Sequence, residues 1–286
     1  MLYEISHNTT YRYARPVALA PHVVRSRPRS DVAQSLRSFS LTIIPEPVRS
    51  SENIDLDGNA VIKVWFSEEA IEELTVIATA QMETHRTNPF DFLLEPWAAT
   101  LPIDYPTSLL VQLQPYLTAL GVGSIDPIAT QLAQEIWYKT DGNTVEFLST
   151  LNQQIAGSCQ YQLRETGAPL PAGITWTQKA GSCRDLSVLF MEACRAIGLA
   201  ARFVSGYYEP DPGNPPYLHA WVEVYLPGAG WRGYDPTQGL ATADRHVALV
   251  ASPIASHTLP ITGELKSGVG TPSEMRYEVA IERLTV

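Results

Sequence analysis

Three residues of this 286-residue chain have the types and order needed for nucleophilic attack on a carbonyl: Cys183, His219 and Asp235. A cysteine attacks as its thiolate and needs a basic or ion-pairing partner, which in turn needs an orienting group. Histidine is the side chain that changes charge near neutral pH, and a carboxylate can fix the imidazole. The chemistry such a set performs is acyl transfer through a thioester.

The elements that must position these side chains are readable in their flanks. A segment broken by Pro169, Pro171, Gly173 and Gly181 precedes Cys183. After it, Leu186, Phe190, Ala193, Cys194 and Ile197 recur at helical steps, as one buried face does. Gly198 supplies a helix stop. Cys183 is therefore expected in the first turn of a packed helix. There, unpaired backbone N–H groups and the positive end of the dipole favour thiolate over thiol. The Gly181-Ser182 lead reads as backbone freedom for close approach to a ligand.

His219 lies in a strand-like run from Tyr217 to Tyr225, and Asp235 ends another from Trp231. The turn Pro227-Gly228-Ala229-Gly230 joins them, which predicts a hairpin. The start of its first strand and the end of its second are neighbours, so Asp235 can reach His219. Trp221 and Tyr234, close by, would limit water access.

Other chemistry-bearing residues read as structural. Asp185, early in the helix, complements the dipole, and Arg184 pairs on the surface. Cys194 shares the buried face, and Cys159 reads as a small buried hydrophobe. His7, His22 and His85 stand among polar residues and read as surface histidines. His246 reads as structural, with cleft lining as the other option.

The remaining chain divides by texture. Residues 1–105 form a small β-rich domain, with strands at Tyr3 to Tyr13, Phe39 to Pro45, Ala60 to Phe66 and Leu74 to Glu83. Asn88 to Pro106 is an extended crossing pinned by its aromatics. In residues 106–286, a short helix from Leu109 to Leu120 is broken by Pro115 and ends at Gly121. Asp126-Pro127 opens a helix with Ile128, Leu132, Ile136 and Trp137 on one face. Asn143-Thr144 opens the next, with Val145, Leu148, Leu151 and Ile155 on its apolar face, and Gly157 stops it. Ala168 to Gly181 reads as loop. Strands follow at Ala200 to Tyr208, the hairpin, Val247 to Ala251 and Met275 to Val286, the last closing the sheet. Helices first and strands after give an α+β class.

Composition bounds the partners. A formal charge of −10 argues against nucleic acid. No apolar run of membrane-spanning length occurs, which argues against a membrane partner. Three unevenly spaced cysteines and no secretory signal point to the cytoplasm. No cysteine pair suggests zinc, and no cofactor is expected.

Gly181-Ser182-Cys183-Arg184-Asp185-Leu186, the run from Cys194 to Tyr207, the run from His219 to Trp231, and Tyr234-Asp235-Pro236-Thr237 together resemble the core of the bacterial transglutaminase-like superfamily. The match is dense from Gly181 to Gly239 and looser on either side. The first hundred residues resemble the N-terminal region that accompanies this core in bacteria. The resemblance implies a papain-like α+β fold, with Cys183 as nucleophile, His219 as base and Asp235 as orienter. Ser182 departs from the larger aliphatic residue common in the family. The acidic cluster of the calcium-dependent animal enzymes has no counterpart after the core.

The implied substrate is a peptide or protein amide. Cys183 N–H would hold one side of the oxyanion, and Tyr161, Trp176 or Gln178 are candidates for the second donor. With water as acceptor the reaction is peptide or amide hydrolysis, the favoured reading, as in a cysteine protease. With an amine it is transglutaminase chemistry, and the same triad serves both. A non-catalytic peptide-binding module and a redox sensor at Cys183 are the readings from other classes. The oligomeric state and any gating by the first domain stay open.

Overall fold

The computed structural model describes residues 1–118, 125–164 and 166–284. In chain order the first strands are β1 (Leu2–Val17), β2 (His22–Val24), β3 (Gln34–Ile44), β4 (Arg49–Ile54), β5 (Ala60–Trp65) and β6 (Ile71–Thr84). Helices α1 (Thr107–Leu117), α2 (Pro127–Lys139) and α3 (Thr144–Ser158) follow. Next come β7 (Gln160–Tyr161), α4 (Ala172–Gln178), β8 (Ala180–Gly181) and α5 (Cys183–Ala196). The remaining strands are β9 (Ala201–Tyr208), β10 (Leu218–Leu226), β11 (Gly230–Asp235), β12 (Leu240–Ala241), β13 (His246–Ser252), β14 (Ile261–Thr262) and β15 (Ser273–Leu284).

Among the described residues the strands form two sheets built mainly from the N-terminal region, in the orders β15-β1-β6-β3 and β14-β2-β5-β4. A five-stranded antiparallel sheet, β12-β11-β10-β9-β13, carries the later chain, and β7 and β8 make a short parallel pair. The fold is thus α+β with a strand-rich N-terminal part, as composition and order predict. The last strand does not close the five-stranded sheet. It pairs with β1 over its whole length, from Leu2↔Leu284 to Tyr13↔Ser273. An edge strand satisfies its backbone on whichever free edge lies beside it, and its own sequence does not say which. Residues 285–286 of that expected strand lie outside the described residues.

Helix α5 is the centre of the larger core. Leu186, Leu189, Phe190, Met191, Ala193 and Cys194 are all fully or almost fully buried. Each large apolar side chain among them stabilises the fold by about 2 kcal/mol. Sequence periodicity marks one buried face, but the helix is buried nearly all round. It lies between β9 and β10 on one side and α2, α3 and α4 on the other.

Several local expectations need adjustment. On α2, Ala129 and Ala133 join Leu132 and Ile136 inside while Ile128 is exposed. Helix α1 runs through Pro115 to Leu117, and the stop expected at residues 119–121 lies outside the described residues. The crossing before it is held by Ala98, Leu101, Ile103 and Tyr105, whereas Phe90 and Trp97 are exposed. Residues 172–178, expected as loop, form α4. No helix among the described residues is long and apolar enough to cross a membrane.

Candidate active site

Cys183 is the first residue of α5, where its N–H has no acceptor within the helix. The turn before it is shaped by Asp185, whose buried carboxylate takes four donors. Oδ2 accepts from Ser182 N and Ser182 Oγ, both at 2.8 Å. Oδ1 accepts from Arg164 Nη1 at 2.6 Å and Leu170 N at 2.7 Å. Burial alone would raise the Asp185 pKa, but these donors hold it below the usual carboxylate range. Arg184 adds bonds to the carbonyls of Arg164 and Gly167. Together the two side chains tie Arg164, Gly167 and Leu170 to the start of α5, a more specific arrangement than the dipole and surface roles expected of them.

Gly181 has a different reason from the one its motif suggests. A Cβ there would lie 2.8 Å from Asp185 Cβ. The close approach it permits is to Asp185 and not to a ligand.

His219 stands near the start of β10, opposite Gly206 on β9. A side chain at Gly206 would collide with the Trp221 ring, so this glycine makes room for Trp221, which lies tilted beside His219 at a centroid distance of 6.3 Å. His219 Nε2 lies 2.7 Å from Asp235 Oδ2, and both residues are buried. Asp235 Oδ1 accepts from Thr237 N at 2.9 Å and Gln238 N at 3.2 Å. With Nε2 engaged, Nδ1 is the nitrogen left without a hydrogen-bond partner. Burial would lower the His219 pKa, but the charge and hydrogen bond of Asp235, with a smaller contribution from Cys183, raise it to about 10. Asp235 is pushed well below the carboxylate range by the same pairing, against its own burial.

A fourth residue belongs to this network. His246, at the start of β13, places Nε2 3.1 Å from the same Asp235 Oδ2. Burial lowers its pKa, so the neutral ring donates its Nε2 proton to the carboxylate. Sequence reading placed His246 in a structural role; the structure gives it a polar partner at the centre of the site. Tyr208 and Trp221 pack against its ring, at centroid distances of 4.8 and 5.3 Å.

Cys183 and His219 open onto a cleft of about 460 Å³, within the usual range for small-molecule and peptide sites. Tyr161 and Tyr217 stack at its rim, 6.2 Å between centroids. Of the three side chains considered as oxyanion donors, Tyr161 reaches this cleft. Trp176 lies instead against Lys179, and Gln178 is exposed at the end of α4. The far wall comes from the N-terminal sheet. His7, expected on the surface, is buried there, bonded to Tyr207 Oη at 3.0 Å and Thr9 Oγ1 at 3.2 Å. Burial lowers its pKa to about 4. His22 is also buried, beside Phe66, whereas His85 is exposed as expected. The alternation Tyr3, Ile5, His7, Thr9 on one face of β1 was the signal for His7.

Two regions of the chain match known families. Residues 3–83 match the bacterial transglutaminase-like N-terminal region, and residues 130–236 match the transglutaminase-like superfamily. The second match spans Cys183, His219 and Asp235. An uncharacterised protein of Mycobacterium tuberculosis is 27% identical over 262 residues, covering 86% of this chain and 82% of that one. An uncharacterised Mycobacterium leprae protein is 24% identical over 307 residues, covering 98% of both. Among solved structures, one from Cytophaga hutchinsonii described as a "putative cysteine protease" shares the fold. Its TM-score is 0.73 at 21% identity, covering 100% of this chain and 92% of that one.

Proposed function

Since the chain carries a transglutaminase-like core behind a bacterial transglutaminase-like N-terminal region, we propose that it hydrolyses amide bonds through Cys183, His219 and Asp235. The observation that carries this reading is His219, held by Asp235 at Nε2 and close enough to Cys183, at a helix start, for the two to influence one another. At neutral pH the imidazole is protonated and pairs with the Cys183 thiolate. The sulfur attacks an amide carbonyl, and the oxyanion forms against the Cys183 N–H and the Tyr161 hydroxyl. His219 gives its proton to the departing amine, leaving a thioester. It then takes a proton from water, which attacks the thioester and frees the acid and the thiolate.

Water is favoured as acceptor because the described cleft residues include no Asp or Glu to hold a cationic amine. A reducing compartment, the cytoplasm, suits the three free cysteines.

The test is hydrolysis of a peptide-amide library followed by mass spectrometry, with and without an added primary amine. The expected result is acid products with and without the amine, falling by at least about a thousandfold in Cys183→Ala. Amine incorporation in place of water would convert the reading to transamidation. Absence of both products, with an unreactive Cys183, would reject an enzyme.

A further inference from the structure

The cleft is shared between two parts of the chain that are far apart in sequence. The lining includes Cys183 and His219 together with a patch of the sheet in which β1 pairs with β15. In the antiparallel register of β1 and β15, Thr9 faces Tyr277 and Tyr11 faces Met275. Directly paired residues, and residues two apart on one strand, project from the same face. These four side chains therefore form one continuous tile, and all four line the cleft. Its composition is aromatic and thioether surface with three hydroxyls, those of Thr9, Tyr11 and Tyr277.

The charges around the tile are already committed. Arg164 is spent on Asp185 Oδ1 and the Ala168 carbonyl, and Arg184 on the carbonyls of Gly167 and Arg164. No carboxylate occurs among the described lining residues, and His7 is neutral in its bonds to Tyr207 and Thr9. A cationic side chain entering here would lose hydration and find no carboxylate, and an anionic one would find only guanidinium groups whose N–H donors are already engaged. A large apolar one would bury its surface against the tile.

We propose that the tile Thr9, Tyr11, Met275 and Tyr277 selects the substrate: an acyl donor with a large uncharged side chain, aromatic or branched aliphatic, beside the attacked carbonyl. The inference rests on the amide-hydrolase reading of Cys183 and gives the N-terminal region a role in specificity.

The test uses the full chain and peptidyl acyloxymethyl ketones that alkylate the cysteine, differing only in the side chain next to the ketone: Phe, Gly, Lys or Glu. Iodoacetamide, which has no side chain to place, measures the intrinsic reactivity of Cys183 in parallel. The Phe probe is expected to label about 30-fold faster than the Gly, Lys or Glu probes. Met275→Glu supplies a readout that misfolding cannot imitate, because it should reverse a preference. Lys-probe labelling relative to Glu-probe labelling is expected to rise about tenfold. Equal rates for all four probes with fast iodoacetamide labelling would overturn the specificity proposal and leave the cysteine chemistry standing. An unchanged Lys-to-Glu ratio in a folded Met275→Glu protein would also overturn it. Failure of iodoacetamide itself would remove the chemistry, and the specificity proposal with it.

Discussion

Replacing His246 by Phe isolates what the second histidine does for Asp235. Phe keeps a planar ring between Tyr208 and Trp221 but cannot donate to Oδ2. The carboxylate would go from four donors to three, losing the one at 3.1 Å. A buried hydrogen bond to a charged group contributes about 2 kcal/mol, so that is the expected loss of stability. The chemical consequence has a sign. With one donor fewer, more of the Asp235 charge acts on His219, and its pKa moves up from about 10. The groups around His246 that carry or take charge are Asp235, His219 and Arg245, and the substitution leaves all three in place. The carboxylate is also freer to rotate, and a misplaced imidazole costs about tenfold or more in rate. The assay is iodoacetamide alkylation of Cys183 from about pH 5 to about pH 11, beside urea denaturation and amide hydrolysis. The account predicts an alkaline limb displaced upward and slower hydrolysis, both partly restored in His246→Gln, whose amide can donate. A Phe variant that loses stability but keeps the wild-type pH profile and hydrolysis rate would show that His246 only packs.

Three further outcomes follow from the same geometry. Asp185→Ala strands Arg164 and the backbone donors of Ser182 and Leu170, and removing one partner of a buried charge cluster costs about 3–5 kcal/mol, read as a lowered urea midpoint. His7 is held neutral, its pKa about 4 against an ordinary 6.5; below about pH 6.5 the unfolded chain takes the proton first, so stability falls toward pH 4 by up to about 3 kcal/mol. That slope, in urea midpoints against pH, should flatten in His7→Gln. Tyr161→Phe removes the proposed side-chain oxyanion donor, so amide hydrolysis should drop about tenfold to a hundredfold with iodoacetamide labelling unchanged; an equal drop in both would place Tyr161 with the thiolate instead.

What was legible in the sequence is what local pattern encodes. The apolar steps after Cys183 placed it at the start of α5, and the turn at Pro227 to Gly230 placed His219 and Asp235 on one hairpin. What was not legible depends on strand partners. His246 reaches Asp235 because β13 pairs with β9, setting His246 opposite Tyr208, and nothing in Asp244-Arg245-His246 announces that register. The same holds for β15, whose alternation predicts a strand but not its place on β1. His7 is a different case: its spacing from Tyr3 and Ile5 put it on the buried face, and the polar neighbours on the other face obscured that. Gly181 shows how a motif can be read for the wrong reason, since its missing side chain makes room for Asp185. The segment forming α4 looked like loop because Pro169 and Pro171 precede it, yet Pro171 sits at the cap, where a missing N–H costs nothing.

The central claim is that His219, whose pKa Asp235 and Cys183 raise to about 10, activates Cys183 as the nucleophile. The direct measurement is the rate of Cys183 alkylation by iodoacetamide against pH, in wild type and in His219→Ala. The account predicts wild-type labelling at pH 6 within a few fold of that at pH 8, and at least about tenfold slower labelling at pH 6 in the variant. Labelling that climbs steeply between pH 6 and pH 9 in both proteins, with no difference between them, would contradict it.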